Sequence, residues 1–272
     1  MSVQPFFFGP TSTKLYGVYQ SPTENFRDHA IVFCYPIGND YMRIHRAYKI
    51  LANMFCKQGF HVFRFDYFAT GDSSGLDGEG SLERWQEDIN NAIAEIKKLS
   101  NTNHCHLFGA RFGATLLCTS TFDSHDIATI SLLDPVINGN QYLEKMIQMQ
   151  TEVLYDKNRY IVNRTQDYQG NDLLGFSFPT NLRAQIKAID LTQGISINSK
   201  NYCIYNTYDN ELAAQWQKHL TDSKYSNLEI LHNKILSECN WHNTEYIEAQ
   251  LLPTAVLNEV VKKVLKYVEA QE

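Results

Sequence analysis

The sequence predicts an α/β fold, with a mostly parallel twisted sheet and helices on both faces. Two observations carry this: short β-branched or aromatic stretches alternate with longer helical patterns along most of the chain, and one strand breaks at a glycine-bracketed turn straight into an apolar helix. Composition agrees, since 43% hydrophobic and 12% aromatic residues in 272 provide material for one core. The expectation is a single domain over residues 1–272, with an insertion inside it.

In order, Leu15–Tyr19 and Ala30–Tyr35 read as strands, the second apolar on both faces. A helical pattern runs from about Arg43 to Lys57, and Gly59 closes it. HVFRFDY at 61–67 is the next strand. The loop ATGDSSG follows, then a helix carrying Leu82, Trp85, Ile89, Ile93 and Ile96 at helical spacing. HCHLFGA at 104–110 is a strand, FGATLLCTS a helix and ATISLLD a strand leading into Pro135. Between about Gly139 and Thr192 the pattern is mixed and rich in Gln, Asn and Tyr, with no convincing strand. This segment, 139–192, is expected to be a lid or cap. YCIYNTYD and LEILHNK resume the sheet, and an amphipathic helix from about Pro253 to Val268 completes the pattern.

A net charge of −6 and the lack of a basic stripe argue against nucleic-acid binding. The six cysteines are scattered through apolar stretches without zinc spacing, so buried thiols are expected and no metal or cofactor. With no leader-like N-terminus and no run long enough to span a bilayer, a cytoplasmic location is expected. The oligomeric state is left open.

The chemistry centres on Gly109-Ala110-Arg111-Phe112-Gly113. Its frame matches the G-x-S-x-G nucleophile elbow, a strand-to-helix turn that projects its central side chain above the sheet, but with Arg111 at the place of serine. The plain alternative is an ordinary β-α turn with an exposed arginine. Further segments carry a resemblance: PFFFG, LYGVYQSP, YPIGNDYMRIHRAY, RFDYFATGDSSG, LFGARFGATL, LLDPVINGNQYL, LGFSFPTNLRAQIKAIDL, WHN and LLPTAVL. Over nearly its whole length the chain resembles the α/β-hydrolase superfamily, specifically serine-aminopeptidase-like and exosortase-system-associated hydrolases, some of which carry arginine at the elbow. The resemblance implies the α/β-hydrolase fold and a biosynthetic substrate of acyl or lipid-like character.

A guanidinium has no nucleophilic lone pair, so an acyl-enzyme cannot form on Arg111. The helix N-terminus behind it, the N–H of Phe112 and the loop Ile37-Gly38-Asn39 would instead suit an acyl or carboxylate oxygen. Asp209 is the favoured acid partner, with an ordinary turn-forming Asp as its plain alternative, and Asp134, one strand earlier, is the alternative acid. His242, in the loop before the last helix, is the candidate base, with an ordinary loop histidine as the alternative. His45, His61, His106 and His232 read as structural. Asp66, Asp72, Ser73 and Ser74 read as turn residues, and Cys34 is a remote candidate nucleophile. Two functions remain: an enzyme that moves a proton or activates water with a His242–Asp209 dyad on an acyl or carboxylate substrate held by Arg111, or a pseudo-hydrolase that binds a ligand or partner. Hydrolysis from a displaced serine or cysteine is a third and weaker reading.

Overall fold

The computed structural model describes residues 2–122, 127–156, 170–193, 201–208, 211–222, 228–231 and 239–271. Eight strands form one sheet: β1 (Ser2–Phe8), β2 (Leu15–Ser21), β3 (His29–Cys34), β4 (His61–Phe65), β5 (His104–Ala110), β6 (Ile127–Leu133), β9 (Tyr202–Tyr205) and β10 (Leu228–Leu231). Their order is β1-β2-β4-β3-β5-β6-β9-β10. β1 and β2 run antiparallel at one edge, β2 meets β4 antiparallel, and every later pairing is parallel. The parallel alternation therefore holds from β3 onward. β1, absent from the sequence reading, covers what would otherwise be the open edge of β2.

The helices are α1 (Asn39–Lys57), α2 (Leu82–Ser100), α3 (Phe112–Thr119), α4 (Gly139–Tyr155), α5 (Thr180–Lys187), α6 (Glu211–Asp222) and α7 (Thr254–Glu269). α2 starts where the Ser81 side chain accepts the Arg84 N–H, and α4 where Asn138 accepts the Gln141 N–H, each satisfying a donor that the first turn leaves open. All six residues of β3 and all five of β4 are buried, as strands covered on both faces require. α3 is apolar all round and buried from Phe112 to Cys118, so it lies inside the fold.

The described part of residues 139–192 contains one feature that the sequence reading does not expect. Between α4 and α5 the chain makes a two-stranded antiparallel hairpin, β7 (Asp172–Leu173) with β8 (Phe176–Ser177). Its turn residues Leu174 and Gly175 both have positive φ, 54° and 87°, the two-residue geometry whose twist matches antiparallel strands. Strands of two residues are too short to show alternation, and leucine in place of the usual Asn or Asp hides the turn signal.

Candidate functional site

Arg111 sits between β5 and α3 with φ 49° and ψ −123°, a backbone conformation that costs a non-glycine residue energy. The flanking glycines explain how the turn closes. A Cβ on Gly113 would lie 2.2 Å from the Cys34 carbonyl oxygen and 2.5 Å from that of Tyr35, and one on Gly109 would lie 2.8 Å from the Ala114 nitrogen. Behind the turn, the Tyr48 hydroxyl donates to the Cys34 carbonyl at 3.0 Å and accepts the Ala110 N–H at 2.9 Å. The ends of β3 and β5 are thereby fixed together. The Arg111 N–H donates to the Leu133 carbonyl at 2.8 Å, tying the turn to β6.

The side chain points into the protein and is 3% exposed. Its Nε donates to Asp40 Oδ2 at 3.3 Å, Nη1 to the Tyr208 hydroxyl at 2.8 Å and to the Asp134 carbonyl at 3.3 Å, and Nη2 lies 3.4 Å from His242 Nε2. Of the five guanidinium N–H groups, one on Nη2 is left over among these contacts. The guanidinium carbon also lies 5.2 Å from the ring centre of Trp241, 5.8 Å from Tyr142 and 5.9 Å from Tyr208. Burial works against the charge, but Tyr208 and Asp40 outweigh it and raise the pKa above its ordinary value.

Asp40 is the residue that the sequence reading left unassigned. It stands in the first turn of α1, buried, and also accepts the Tyr142 hydroxyl at 3.4 Å. Burial pushes its carboxyl up from the ordinary range, and the charges of Arg111 and Arg43 oppose that push. The positive elbow expected from the sequence is therefore balanced by a buried carboxylate 71 residues earlier in the chain.

Asp134 also has a positive φ, 44°. Its carboxylate accepts the Thr207 N–H at 2.7 Å, the Thr207 hydroxyl, and the Trp241 indole N–H at 2.8 Å. Those donors hold the loop after β6 against the segments carrying Tyr208 and His242; no bond from Asp134 to His242 is among them. Asp209 and His232 lie outside the described residues.

The His242 loop is held by a residue the sequence reading assigned no role. Arg43 of α1 is 2% exposed and donates to the Trp241 carbonyl at 2.6 Å and to the Asn240 carbonyl at 3.0 Å. With its Nε also donating to the Ala249 carbonyl at 3.5 Å, this buried arginine binds three carbonyls of the segment that carries the imidazole. Burial first, then the charges of Arg111, Lys145 and Arg43, push the His242 pKa down to about 3. At neutral pH the ring is uncharged, and Nε2 is the nitrogen placed to accept from Arg111.

Of the predicted ligand-binding residues, Phe112 begins α3, where the first N–H groups have no intrahelical acceptor. Gly38, with φ 59°, caps α1, and a Cβ there would lie 3.1 Å from the Phe178 ring. Among the described residues the Asn39 side-chain nitrogen is buried and has no hydrogen-bond partner. Three spaces adjoin these groups. A basin of about 240 Å³ is lined by Arg111, Asn138, Lys145, Tyr208 and His242 among others. A crevice of about 10 Å³ continues from Arg111 and His242 past Asn39 and Met146 to Leu174. A cavity of about 360 Å³ lies on the other side of Gly38, under the hairpin.

Other candidates have structural roles. Ser73 donates to the Asp66 carbonyl at 2.6 Å and accepts the Tyr16 N–H, and Asp66 accepts from Tyr41 and from the Asp72 N–H. Cys34 is wholly buried, and burial pushes its thiol up, the opposite of an activated nucleophile. His106 is buried between His29 and Thr129, and His61 stacks on Tyr19.

Among solved structures, the chain is similar to the α/β-hydrolase GrgF from Penicillium sp. sh18, with TM-score 0.67 and 12% identity over 99% of each chain. It is also similar to Est1E from Butyrivibrio proteoclasticus, with TM-score 0.64 and 14% identity over 97% of this chain and 99% of that one. Alpha/beta hydrolase domain-containing protein 10 from mouse gives TM-score 0.59 and 13% identity over 99% and 100%. The chain has the α/β-hydrolase fold. No family model and no curated protein matches it in sequence. Within this α/β-hydrolase fold Arg111 stands at the strand-to-helix turn after β5, and the likeness carries the architecture alone. Among the described residues, no helix is long and apolar enough to cross a membrane and no group of side chains is placed to hold a metal ion.

Proposed function

We propose that the protein is a non-hydrolysing member of the α/β-hydrolase fold that binds an acyl or carboxylate-bearing small molecule in the basin beside Arg111, with residues 139–192 serving as its lid. One observation carries the reading. The side chain at the elbow is a guanidinium bonded to Asp40, Tyr208, Asp134 and His242, which leaves that position no nucleophile and leaves His242 no nucleophile there to deprotonate. Lys145, His242, Tyr208 and Arg111 line a basin whose cationic side chains suit an anionic oxygen.

The test exposes the protein to a fluorophosphonate and to a thiol-reactive probe and reads intact mass, alongside titration with butyrate followed by NMR. Unlabelled protein that binds butyrate and returns it unchanged is the expected result. Labelling at a single site that His242→Ala removes would mean that a displaced serine is active and overturn the reading.

A second reading rests on a specific observation: His242 stands on the basin wall, 3.4 Å from Arg111 Nη2. On that reading it takes a proton from the carbon next to the ligand's carbonyl, with Asp209 as partner. Exchange of that hydrogen for deuterium from heavy water, lost in His242→Gln, would select this reading over binding alone.

A further inference from the structure

The wall between the Arg111 crevice and the 360 Å³ cavity is built from two pairs of neighbouring residues. In the loop after β3, Gly38 lines the cavity and Asn39 the crevice; at the hairpin tip, Gly175 lines the cavity and Leu174 the crevice. One residue step on each side separates the two spaces. The crevice in turn shares Arg111, Tyr142, Lys145 and His242 with the basin. Basin, crevice and cavity thus follow one another, polar at one end and apolar at the other.

The apolar end is a built cavity. Ile37, Met42, Trp85, Phe176, Phe178 and Leu182 supply its apolar surface. Its volume falls within the range of about 300–1,000 Å³ typical of small-molecule sites. The hairpin over it is fastened at several points. The Ser177 N–H donates to Asp77 at 3.2 Å, and Arg183 donates from Nε to the Phe178 carbonyl at 2.6 Å and from Nη2 to the carbonyls of Gly170 and Asn171. The Leu174 N–H donates to the Gln150 side chain of α4 at 2.7 Å. The narrow middle is lined by Met146 and Met149, unbranched side chains that change rotamer readily, by Asp40, and by Asn39, whose side-chain nitrogen has no partner among the described residues.

Resting on the binding reading above, we infer that the ligand is an amphiphile, with an anionic head in the basin and an unbranched apolar tail that passes Met146 and Asn39 beneath the Leu174–Gly175 turn into the cavity. A compact anion would leave the cavity empty, and an uncharged alkane would gain nothing from Lys145 and Arg111.

The experiment titrates the intact protein with n-alkanoates from butyrate to dodecanoate, and with the matching n-alkanols, by calorimetry. Affinity for the alkanoates should rise by about fourfold per added methylene once the tail enters the cavity, then level off. Met42→Trp, at a half-exposed position on the cavity wall, should bring the plateau to a shorter chain. Leu174→Trp, which narrows the passage, should remove the dependence on length. Alkanoates that bind equally at all lengths would overturn the inference while the carboxylate reading stood. Alkanols that bind as tightly as the acids would overturn the head assignment and that reading together. Chain-length dependence unaltered in both tryptophan variants would place the tail elsewhere and sink the path.

Discussion

Arg111 Nε and Asp40 Oδ2 lie 3.3 Å apart in a region where both side chains are almost wholly removed from water. This pair joins the turn after β5 to the first turn of α1, so the charge at the elbow and the loop that faces it are one unit.

Removing one member should therefore cost more than the pair contributes. Asp40→Asn should destabilise the protein by about 3–5 kcal/mol, because a buried guanidinium would lose its counter-charge. Asp40→Leu combined with Arg111→Met should cost much less than the sum of the two single changes. Urea unfolding of the four proteins gives the coupling directly, and additive effects would mean that the two side chains do not interact.

Stability should fall on the acid side of neutrality. The His242 pKa is about 3 in the folded protein, and burial also pushes His106 well below its ordinary value of 6.5. Both are depressed, so their contribution is complete above the unfolded pKa of about 6.5 and is lost as pH falls, because only the unfolded chain takes up the protons. Each histidine should contribute about 1.4 kcal/mol per pH unit below 6. His242→Gln should flatten the profile by one histidine's share; an unchanged slope would show that the ring is protonated in the native state.

Trp241→Phe should release the His242 loop from Asp134. The substitution keeps an aromatic ring but removes the indole N–H, leaving a buried carboxylate one donor short at a cost of about 1–3 kcal/mol. Hydrogen exchange should quicken in residues 239–243 of this variant before it does elsewhere. Uniform quickening would show that the bond supports the fold as a whole and not the loop.

Gly113→Ala should destabilise the fold by about 3 kcal/mol or more, since the new methyl group would meet two backbone carbonyl oxygens that cannot swing aside. Alanine at Gly175, where nothing lies within 4 Å, meets no such obstruction and bears only the cost of positive φ. Thermal unfolding of the two variants ranks them; equal losses would contradict the packing argument.

What the sequence disclosed depended on range. HCHLFGA is the strand seen at 104–110, and the bracketing glycines of the elbow could be recognised because their purpose is local: they let one turn close beside its own neighbours. β1 was not recognised, since Ser2–Phe8 contains a proline and an exposed face and becomes a strand only through pairing with β2. The same limit applied at the site. Arg111, His242 and Asn39 were readable from the elbow frame and the order of elements. Asp40 and Arg43 were not, because their roles arise from contacts across 71 and 198 residues, and neither belongs to a local pattern. Asp134 reads from the sequence as an alternative acid, and in the structure its carboxylate accepts from Thr207 and Trp241.

The backbone at residue 111 is bent, with φ 49° and ψ −123°, while the guanidinium it carries is turned inward onto Asp40. The main chain requires no rebuilding for a serine to stand at that point, yet replacing the arginine alone would strand Asp40 without its cation. A serine introduced at residue 111 therefore calls for a second change at Asp40, and either change alone gives a less stable protein.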